Sequence, residues 1–260
     1  MLTVSEMDRL VWGNADGRRV MMVLRAAFDL SSAYGVTAVG GYVGDIEAWE
    51  AVEPGWKDLL AGTGLQKFRL FEIKRKFGDD WVQVVKPFAQ LIRDTGLRCI
   101  SAVLKDSDWK LMPHDAEYLK ICPRKQHACL DMLFSAIAED VRLEFRDEPL
   151  TAVFDCDYGT NETALAVYNA WRNRSGHHGF NLFFKGDVSW DAVPLECADL
   201  VAGLLRIDPL CLAMLNNDFT KFRDDNPLSH LSSLALGGRG VMWSAKTAKL
   251  VEEAERRRKS

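Results

Sequence analysis

The chain has 260 residues, of which 48% are hydrophobic and 27% are charged, and these proportions exclude a largely disordered or fibrous protein. Lys and Arg number 33 against 37 Asp and Glu, so the net charge of −4 excludes a uniformly basic protein that coats nucleic acid. Any contact with nucleic acid would therefore need local basic patches.

The first part of the chain predicts a sheet that begins with an antiparallel hairpin. Apolar runs at 20–30 and 36–43, joined by a short turn of small and polar residues, predict the two strands of this hairpin. Asp45 then caps a predicted helix that extends to about residue 60. Alternating basic and apolar residues at 67–71 predict a third strand, and Glu72 stands at its end.

The rest of the chain predicts helices that alternate with strands. Helices are expected at 79–92, 115–143, 163–171 and 194–205, and strands at 99–104, 150–155 and 180–184. This order predicts an α/β fold, in which antiparallel first strands are followed by parallel strands covered by helices. We expect residues 1–207 to form this domain and residues 208–260 to form an extension packed on it, with a terminal helix at 246–259.

Acidic residues end several of the predicted strands. Asp29 and Asp155 each follow a Phe at the end of an apolar strand, and ligands bind at the carboxyl ends of strands in α/β sheets. Asp199 lies in a helix so apolar that we expect it to be buried, where a charge needs a metal ion or a cationic partner. These three carboxylates are therefore candidates for one site, with Glu72 as a weaker fourth member.

Each acid also has a purely structural explanation. An Asp at the end of a strand is often a turn residue or a helix cap, which would account for Asp29 and Asp155. Asp199 could pair with Arg206 or Arg25, and Glu72 could pair with the basic residues that follow it.

The helix at 194–202 carries the most specific pattern in the chain. It reads Pro-Leu-Glu-Cys-Ala-Asp-Leu-Val-Ala and resembles the Pro-Leu-Gln-x-Ala-Asp-Leu-x-Ala signature of the DUF3800 family, uncharacterised prokaryotic and phage proteins placed among ribonuclease H-like folds. A first strand ending in Asp29, a Gly-Gly pair in the second strand, a helix with Trp49 and Trp56, and a late strand ending in Asp155 agree with that family. The resemblance implies a ribonuclease H-like mixed sheet flanked by helices.

The resemblance also implies a metal site of the kind found in ribonuclease H-like nucleases. Hard cations such as Mg²⁺ and Mn²⁺ prefer carboxylate oxygens, and two of them can activate water and stabilise a leaving oxygen. Asp29 would bridge the metals, Asp155 and Asp199 would each hold one, and Glu72 would be the fourth acid. Asp106, which follows the fourth predicted strand, competes with Asp155 for its place.

Two positions depart from the family pattern. The first motif usually contains a second acid, whereas here Asp29 is followed by Leu30, Ser31 and Ser32. The usual Gln of the helix signature is Glu196, which could add a carboxylate to the site or be a variant on the helix surface.

These features together predict a nuclease or phosphodiesterase that depends on a divalent metal, Mg or Mn. Lys74, Arg75 and Lys76 are predicted to bind substrate phosphates, and a second basic cluster contains Arg172, Arg174, His177 and His178. The alternative is a non-catalytic ribonuclease H-like module that binds a partner protein or nucleic acid, which the missing acid favours and the retained acids disfavour. Hydrolysis of a nucleotide or another small phosphate would use the same metals.

Cysteine usage and hydropathy predict the cellular environment. The six cysteines are dispersed without a C-x-x-C pair, which is typical of free, buried thiols in a reducing compartment. The sequence has no apolar run of about 18 residues and does not begin like a signal peptide. We therefore expect a soluble cytoplasmic protein with no membrane contact.

Overall fold

One mixed β-sheet organises the described part of the chain. The structure is a computed structural model that describes residues 24–33, 35–110, 112, 116–144, 150–155, 161–175, 180–184, 193–207 and 241–244. The strands are β1 (Leu24–Ala33), β2 (Val36–Gly44), β3 (Arg98–Lys105), β4 (Leu150–Asp155), β5 (Phe180–Phe184) and β6 (Val241–Ser244).

Helices cover the sheet on both faces. They are α1 (Ile46–Thr63), α2 (Leu70–Phe77), α3 (Trp81–Asp94), α4 (Asp106–Trp109), α5 (Ala116–Ile121), α6 (Lys125–Glu144), α7 (Asn161–Ser175) and α8 (Val193–Ile207). A single 3₁₀ turn, Gly78–Asp80, joins α2 to α3. Among the described helices, none combines the length and apolar character that a membrane span requires.

The strand order is β5-β4-β1-β2-β3-β6. β1, β2 and β3 form an antiparallel meander, whereas β4 runs parallel to β1, β5 parallel to β4, and β6 parallel to β3. Antiparallel first strands are thus followed by parallel strands under helices. The predicted fold class, a ribonuclease H-like mixed α/β sheet flanked by helices, is confirmed.

Successive residues of each strand enter two separate hydrophobic cores. Ala27 of β1 packs in the core under α1, α2, α3 and α8, whereas its neighbour Phe28 packs in the core under α6 and α7. Side chains alternate between the faces of a strand, so both faces of the central strands are buried. The apolar runs that predicted these strands therefore reflect burial on two sides.

Two glycines allow helix α8 to lie close to its neighbours. A Cβ at Gly40 in β2 would stand 3.2 Å from Val201 and 3.1 Å from Leu205, both on α8. A Cβ at Gly203 would stand 2.6 Å from a methyl carbon of Leu70, the first residue of α2. Helix α8 is therefore fitted tightly between the sheet and the start of α2.

The structure corrects the predicted third strand at 67–71. This segment is extended only up to Arg69, where its alternation buries Phe68 and Leu70 and leaves Lys67 exposed, and α2 begins at Leu70. Its backbone amides bind acidic side chains on α8 instead of a neighbouring strand. The alternation of basic and apolar residues therefore reflects which side chains are buried and does not indicate pairing with another strand.

Other boundaries differ in smaller ways. β1 continues past Asp29 to Ala33, because its ladder with β2 is longer than its ladder with β4. The helix predicted at 115–143 is divided into α5 and α6, and Pro123, which lacks a backbone N–H, lies in the break.

Most of the predicted C-terminal extension lies outside the described residues. This applies to residues 208–240 and to the predicted helix at 246–259, and the division at residue 207 stays a prediction. Within the extension, β6 forms a strand beside β3, so this part contributes to the sheet instead of forming a separate helix. Cys99, Cys122, Cys129 and Cys197 are free and buried, as predicted.

We expect Trp56→Phe to destabilise the protein more at pH 7.5 than at pH 4. The indole Nε1 donates a 2.8 Å hydrogen bond to buried Glu196, and this bond lowers a pKa that burial raises. Loss of a hydrogen bond to a charged group costs about 1.5 to 3 kcal/mol, and this cost applies only where Glu196 is ionised. Urea unfolding at both pH values measures it, and an equal loss at both would contradict the role of the carboxylate.

Candidate functional site

Two of the predicted acids, Asp29 and Asp155, lie side by side at the carboxyl end of the parallel ladder between β1 and β4. Asp29 and Asp155 are the last residues paired between β1 and β4, and neighbouring strands are about 4.8 Å apart. Two positions earlier, Ala27 and Val153 both pack in the core under α8, so both aspartates point to that face. The Asp29 carboxylate accepts a 2.9 Å hydrogen bond from the backbone amide of Leu30.

Asp199 brings a third carboxylate to the same face from helix α8. Burial raises the pKa of Asp29 first, and the negative charges of Asp199 and Asp155 raise it further, to about 8. Burial also raises the pKa of Asp199, to which Asp155 contributes. The three predicted aspartates therefore form one electrostatic cluster, which we call the acid cluster.

Arg69 is a cation that contacts the acid cluster. Its guanidinium lies 3.6 Å from Asp155 Oδ2 through Nη2 and 3.7 Å from Asp199 Oδ1 through Nη1. The Arg69 side chain is 41% exposed, whereas those of Asp155 and Asp199 are 19% exposed. One solvent-facing guanidinium thus stands over two largely covered carboxylates and offsets part of their repulsion.

Asp199 also has a structural function, which is to cap helix α2. Its Oδ2 accepts a 2.7 Å hydrogen bond from the backbone amide of Leu70, the first residue of α2. Arg69 occupies the N-cap position but makes no side-chain cap bond, so the acid on α8 takes that place. Gly203, one turn further along α8, leaves the space that Leu70 needs for this approach.

Sequence analysis considered Arg206 as an ion-pair partner of Asp199, and the structure gives a different answer. The partner is Arg69, whereas Arg206 only lowers the pKa of Asp199 at longer range. Arg69 was missed in this role because it lies 130 positions away in the chain and was placed on a strand. The sequence signal that marked Arg69 was the alternation of basic and apolar residues at 67–71.

Glu196 takes neither of the two roles considered for it. It is buried, accepts a 2.8 Å hydrogen bond from Trp56 Nε1, and accepts a second from the backbone amide of Phe68. Burial raises its pKa, and these donors oppose that shift. Glu196 therefore holds the 67–69 segment against α8 and is separate from the acid cluster.

Glu72 does not join the acid cluster. It lies in the first turn of α2, exposed to solvent, and among the described residues no ion pair or hydrogen bond links it to the three aspartates. Residues 67–71 do not form the predicted strand that would bring Glu72 to the site. Helix α2 begins at Leu70, two residues before Glu72.

The predicted phosphate-binding residues point in different directions. Lys74 Nζ lies 5.0 Å from the centroid of the Trp81 ring, and Lys76 Nζ donates to the carbonyl oxygen of Thr63 at 2.8 Å, at the end of α1. Arg75 is exposed. Lys76 therefore has a capping contact that competes with phosphate binding.

The second basic cluster belongs to another part of the fold. Arg174 on α7 donates a 2.7 Å hydrogen bond to Asp131 on α6, on the face of the sheet opposite to the acid cluster. His177 and His178 lie outside the described residues.

The structure decides between Asp106 and Asp155 as the neighbour of Asp29. Asp29 is level with Ser101 on β3, through Gly40, so Asp106 lies five positions, or roughly 16 Å, further along the sheet. Asp106 pairs with Lys125, and its amide donates a 2.8 Å hydrogen bond to Gly35 at the hairpin turn. Asp155 is therefore the acid next to Asp29.

The acid cluster has the ligand chemistry for a hard divalent cation but not a preformed coordination shell. Within the described ranges, no three His, Cys, Asp or Glu side chains are grouped closely enough to hold a metal ion. Carboxylate oxygens suit Mg²⁺ and Mn²⁺, and burial, followed by the charges of Asp199 and Asp155, raises the pKa of Asp29. A cation would need the carboxylates to close around it and Arg69 to withdraw.

Comparisons with models of protein families, with curated proteins and with solved structures find no match for this chain. Its resemblance to the DUF3800 family therefore stays a prediction from the residues of α8, β1 and β4.

We expect Asp29→Asn to stabilise the protein in chelator at pH 8, by about 1 to 3 kcal/mol. The pKa of Asp29 in the folded state, about 8, lies above the ordinary value of 3.8. Between these pH values the folded state binds more protons than the unfolded state, so the protein loses stability as pH rises. The neutral amide removes this loss, so the gain should vanish near pH 4. Urea unfolding at pH 4, 6 and 8 measures the difference, and a variant less stable than the parent at pH 8 would contradict it.

Asp199→Ala should have the opposite effect and destabilise the protein by about 2 to 4 kcal/mol at pH 7. It removes both the acceptor for the Leu70 amide and the partner of Arg69. Asp199→Asn keeps an acceptor for the amide and should lose less. Thermal unfolding of both variants in chelator checks this order, and equal stability of Asp199→Ala and parent would show that the cap contributes nothing.

Proposed function

We propose that this chain hydrolyses phosphodiester bonds with the help of a divalent cation, Mg²⁺ or Mn²⁺, held by the acid cluster. The observation that carries the proposal is the grouping of Asp29, Asp155 and Asp199 on one face, where burial first, and then the negative charges of Asp199 and Asp155, raise the pKa of Asp29 to about 8. Carboxylates with a purely structural role are usually placed where opposite charges or hydrogen bonds stabilise them. Functional carboxylates are often held close to one another, where their repulsion raises the pKa. The ribonuclease H-like order of the strands adds support by analogy.

The residues of this chain divide the work between them. Asp29 and Asp155 would hold the cation from the sheet, and Asp199 would hold it from α8. A divalent cation there would supply a Lewis acid and a water molecule of lowered pKa. Asp199 binds the Leu70 amide through Oδ2, so its Oδ1, which faces Arg69, is the oxygen left for a cation.

Arg69 acts in two states of the site. Without a cation, its guanidinium stands over Asp155 and Asp199 and limits their repulsion. If these carboxylates held a cation, the exposed guanidinium would be free to bind a substrate phosphate through paired N–H groups. Arg69 therefore fits a phosphate-binding role better than Lys74 or Lys76 do.

A non-catalytic module is the second candidate, and two observations favour it. Arg69 already pairs with two of the acids, and within the described residues no set of side chains is arranged to hold a metal. On this alternative the acid cluster only fastens α2 and the 67–69 segment to the sheet. The two candidates differ in whether a divalent cation changes the protein.

The test is cleavage of labelled single-stranded and duplex DNA and RNA with Mg²⁺ or Mn²⁺, comparing Asp155→Asn with Asp106→Asn. Both variants remove one carboxylate after a strand of the same sheet, but only Asp155 belongs to the acid cluster. We expect Asp155→Asn to lower the cleavage rate at least 100-fold and Asp106→Asn to leave it within threefold.

Thermal unfolding with added Mn²⁺ distinguishes the second candidate. A cation bound only by the folded state stabilises it by about 2.7 kcal/mol at 100 times the dissociation constant. The parent and Asp106→Asn should gain stability with Mn²⁺, and Asp155→Asn should gain less. Absence of both cleavage and stabilisation in the parent would leave the non-catalytic module as the correct function.

A further inference from the structure

An exposed aromatic side chain, Phe71, follows the residue whose backbone amide is bound by Asp199 of the acid cluster. Phe71 is 68% exposed, more than Leu165 at 43% and Leu119 at 36%, the other large exposed hydrophobic residues in the described ranges. It follows Leu70, whose amide is bound by Asp199, so its Cα lies about 3.8 Å from that of a residue fixed to the acid cluster. The fold gains no burial from this ring.

Basic residues flank Phe71 in the chain. On α2, Phe71 and Arg75 are both exposed and four positions apart, so they share one face of the helix. Lys67 is exposed and Arg69 partly exposed in the segment just before the helix. Residues 67–76 contain five basic residues and one acid, Glu72, in a chain whose net charge is −4.

We propose that Phe71, Arg75 and Lys67 form a subsite that binds an unpaired nucleotide of a single-stranded nucleic acid beside the acid cluster. An exposed aromatic ring stacks on any base whose face is open, and basic side chains nearby bind the phosphates on either side. Bases in a duplex stack on one another, so this ring selects single strands. The subsite deepens the proposed function, because it names the form of substrate that the acid cluster would receive.

The chemistry of the subsite sets its limits. Phe has no hydrogen-bond donor or acceptor, so the ring recognises an open base without reading its identity. It binds DNA and RNA alike, because nothing in this group of side chains tests for a 2′-hydroxyl. A partner protein docked on Phe71 would instead leave single-stranded oligonucleotides unbound.

The experiment measures binding without cleavage. Fluorescence anisotropy measures the binding of a labelled 20-nucleotide oligonucleotide, as single strand and as duplex. The measurement is made with Asp155→Asn in Mg²⁺ and with the parent protein in chelator. We expect single strands to bind at least tenfold more tightly than the duplex. Phe71→Ala should weaken single-strand binding about tenfold, whereas Phe71→Trp should retain it.

Leu165→Ala is the matched control. Leu165 is also exposed and apolar, but it lies on α7, which packs on the opposite face of the sheet. Its removal should leave binding unchanged, and Arg75→Gln should reduce the dependence of binding on salt. Equal binding of Phe71→Ala and parent, equal affinity for duplex and single strand, or no binding at all would overturn the subsite.

The outcome also separates this proposal from the proposed catalysis. Single-strand binding that depends on Phe71, in a parent protein without metal-dependent cleavage, would keep the subsite and reject the nuclease. Cleavage that is indifferent to Phe71→Ala, with binding also unchanged, would keep the nuclease and reject the subsite.

Discussion

The capping of helix α2 by Asp199 is the interaction on which the site depends. A single carboxylate accepts the Leu70 amide with one oxygen and faces Arg69 with the other. Because the bond fixes the start of α2 against α8, it also fixes the extended residues before it and directs Arg69 over the sheet. Without this contact the helix would lose its only side-chain cap among the described residues.

A second carboxylate on α8 supports the same segment. Glu196 and Asp199 lie three positions apart, on one side of the helix, and bind the amides of Phe68 and Leu70. Side-chain acids thus replace the partner strand that an extended segment ordinarily needs for its backbone. Asp29 lies nearby in the sheet, where burial first, and then the charges of Asp199 and Asp155, raise its pKa.

The sequence predicts the sheet well where burial and pairing coincide. The apolar runs of β1 and β4 identify both strands, and their parallel pairing brings Asp29 next to Asp155 as expected. The prediction fails at 67–71, because alternation shows which side chains are buried but not what binds the amides. Arg69 could not be assigned to the acids for a related reason, since its place depends on a cap formed by a residue 130 positions away.

The different lengths of the strands around Asp29 have a consequence for the shape of this edge. β1, β2 and β3 continue beyond the level of Asp29, to Ala33, Val36 and Lys105, and Asp155 is the last described residue of β4. Asp29 therefore does not lie at the end of its strand, and the backbone of β2 extends beyond it on one side. A molecule that reaches the Asp29 carboxylate meets the backbone of β2 on one side, so the sheet restricts the directions from which an extended chain could approach.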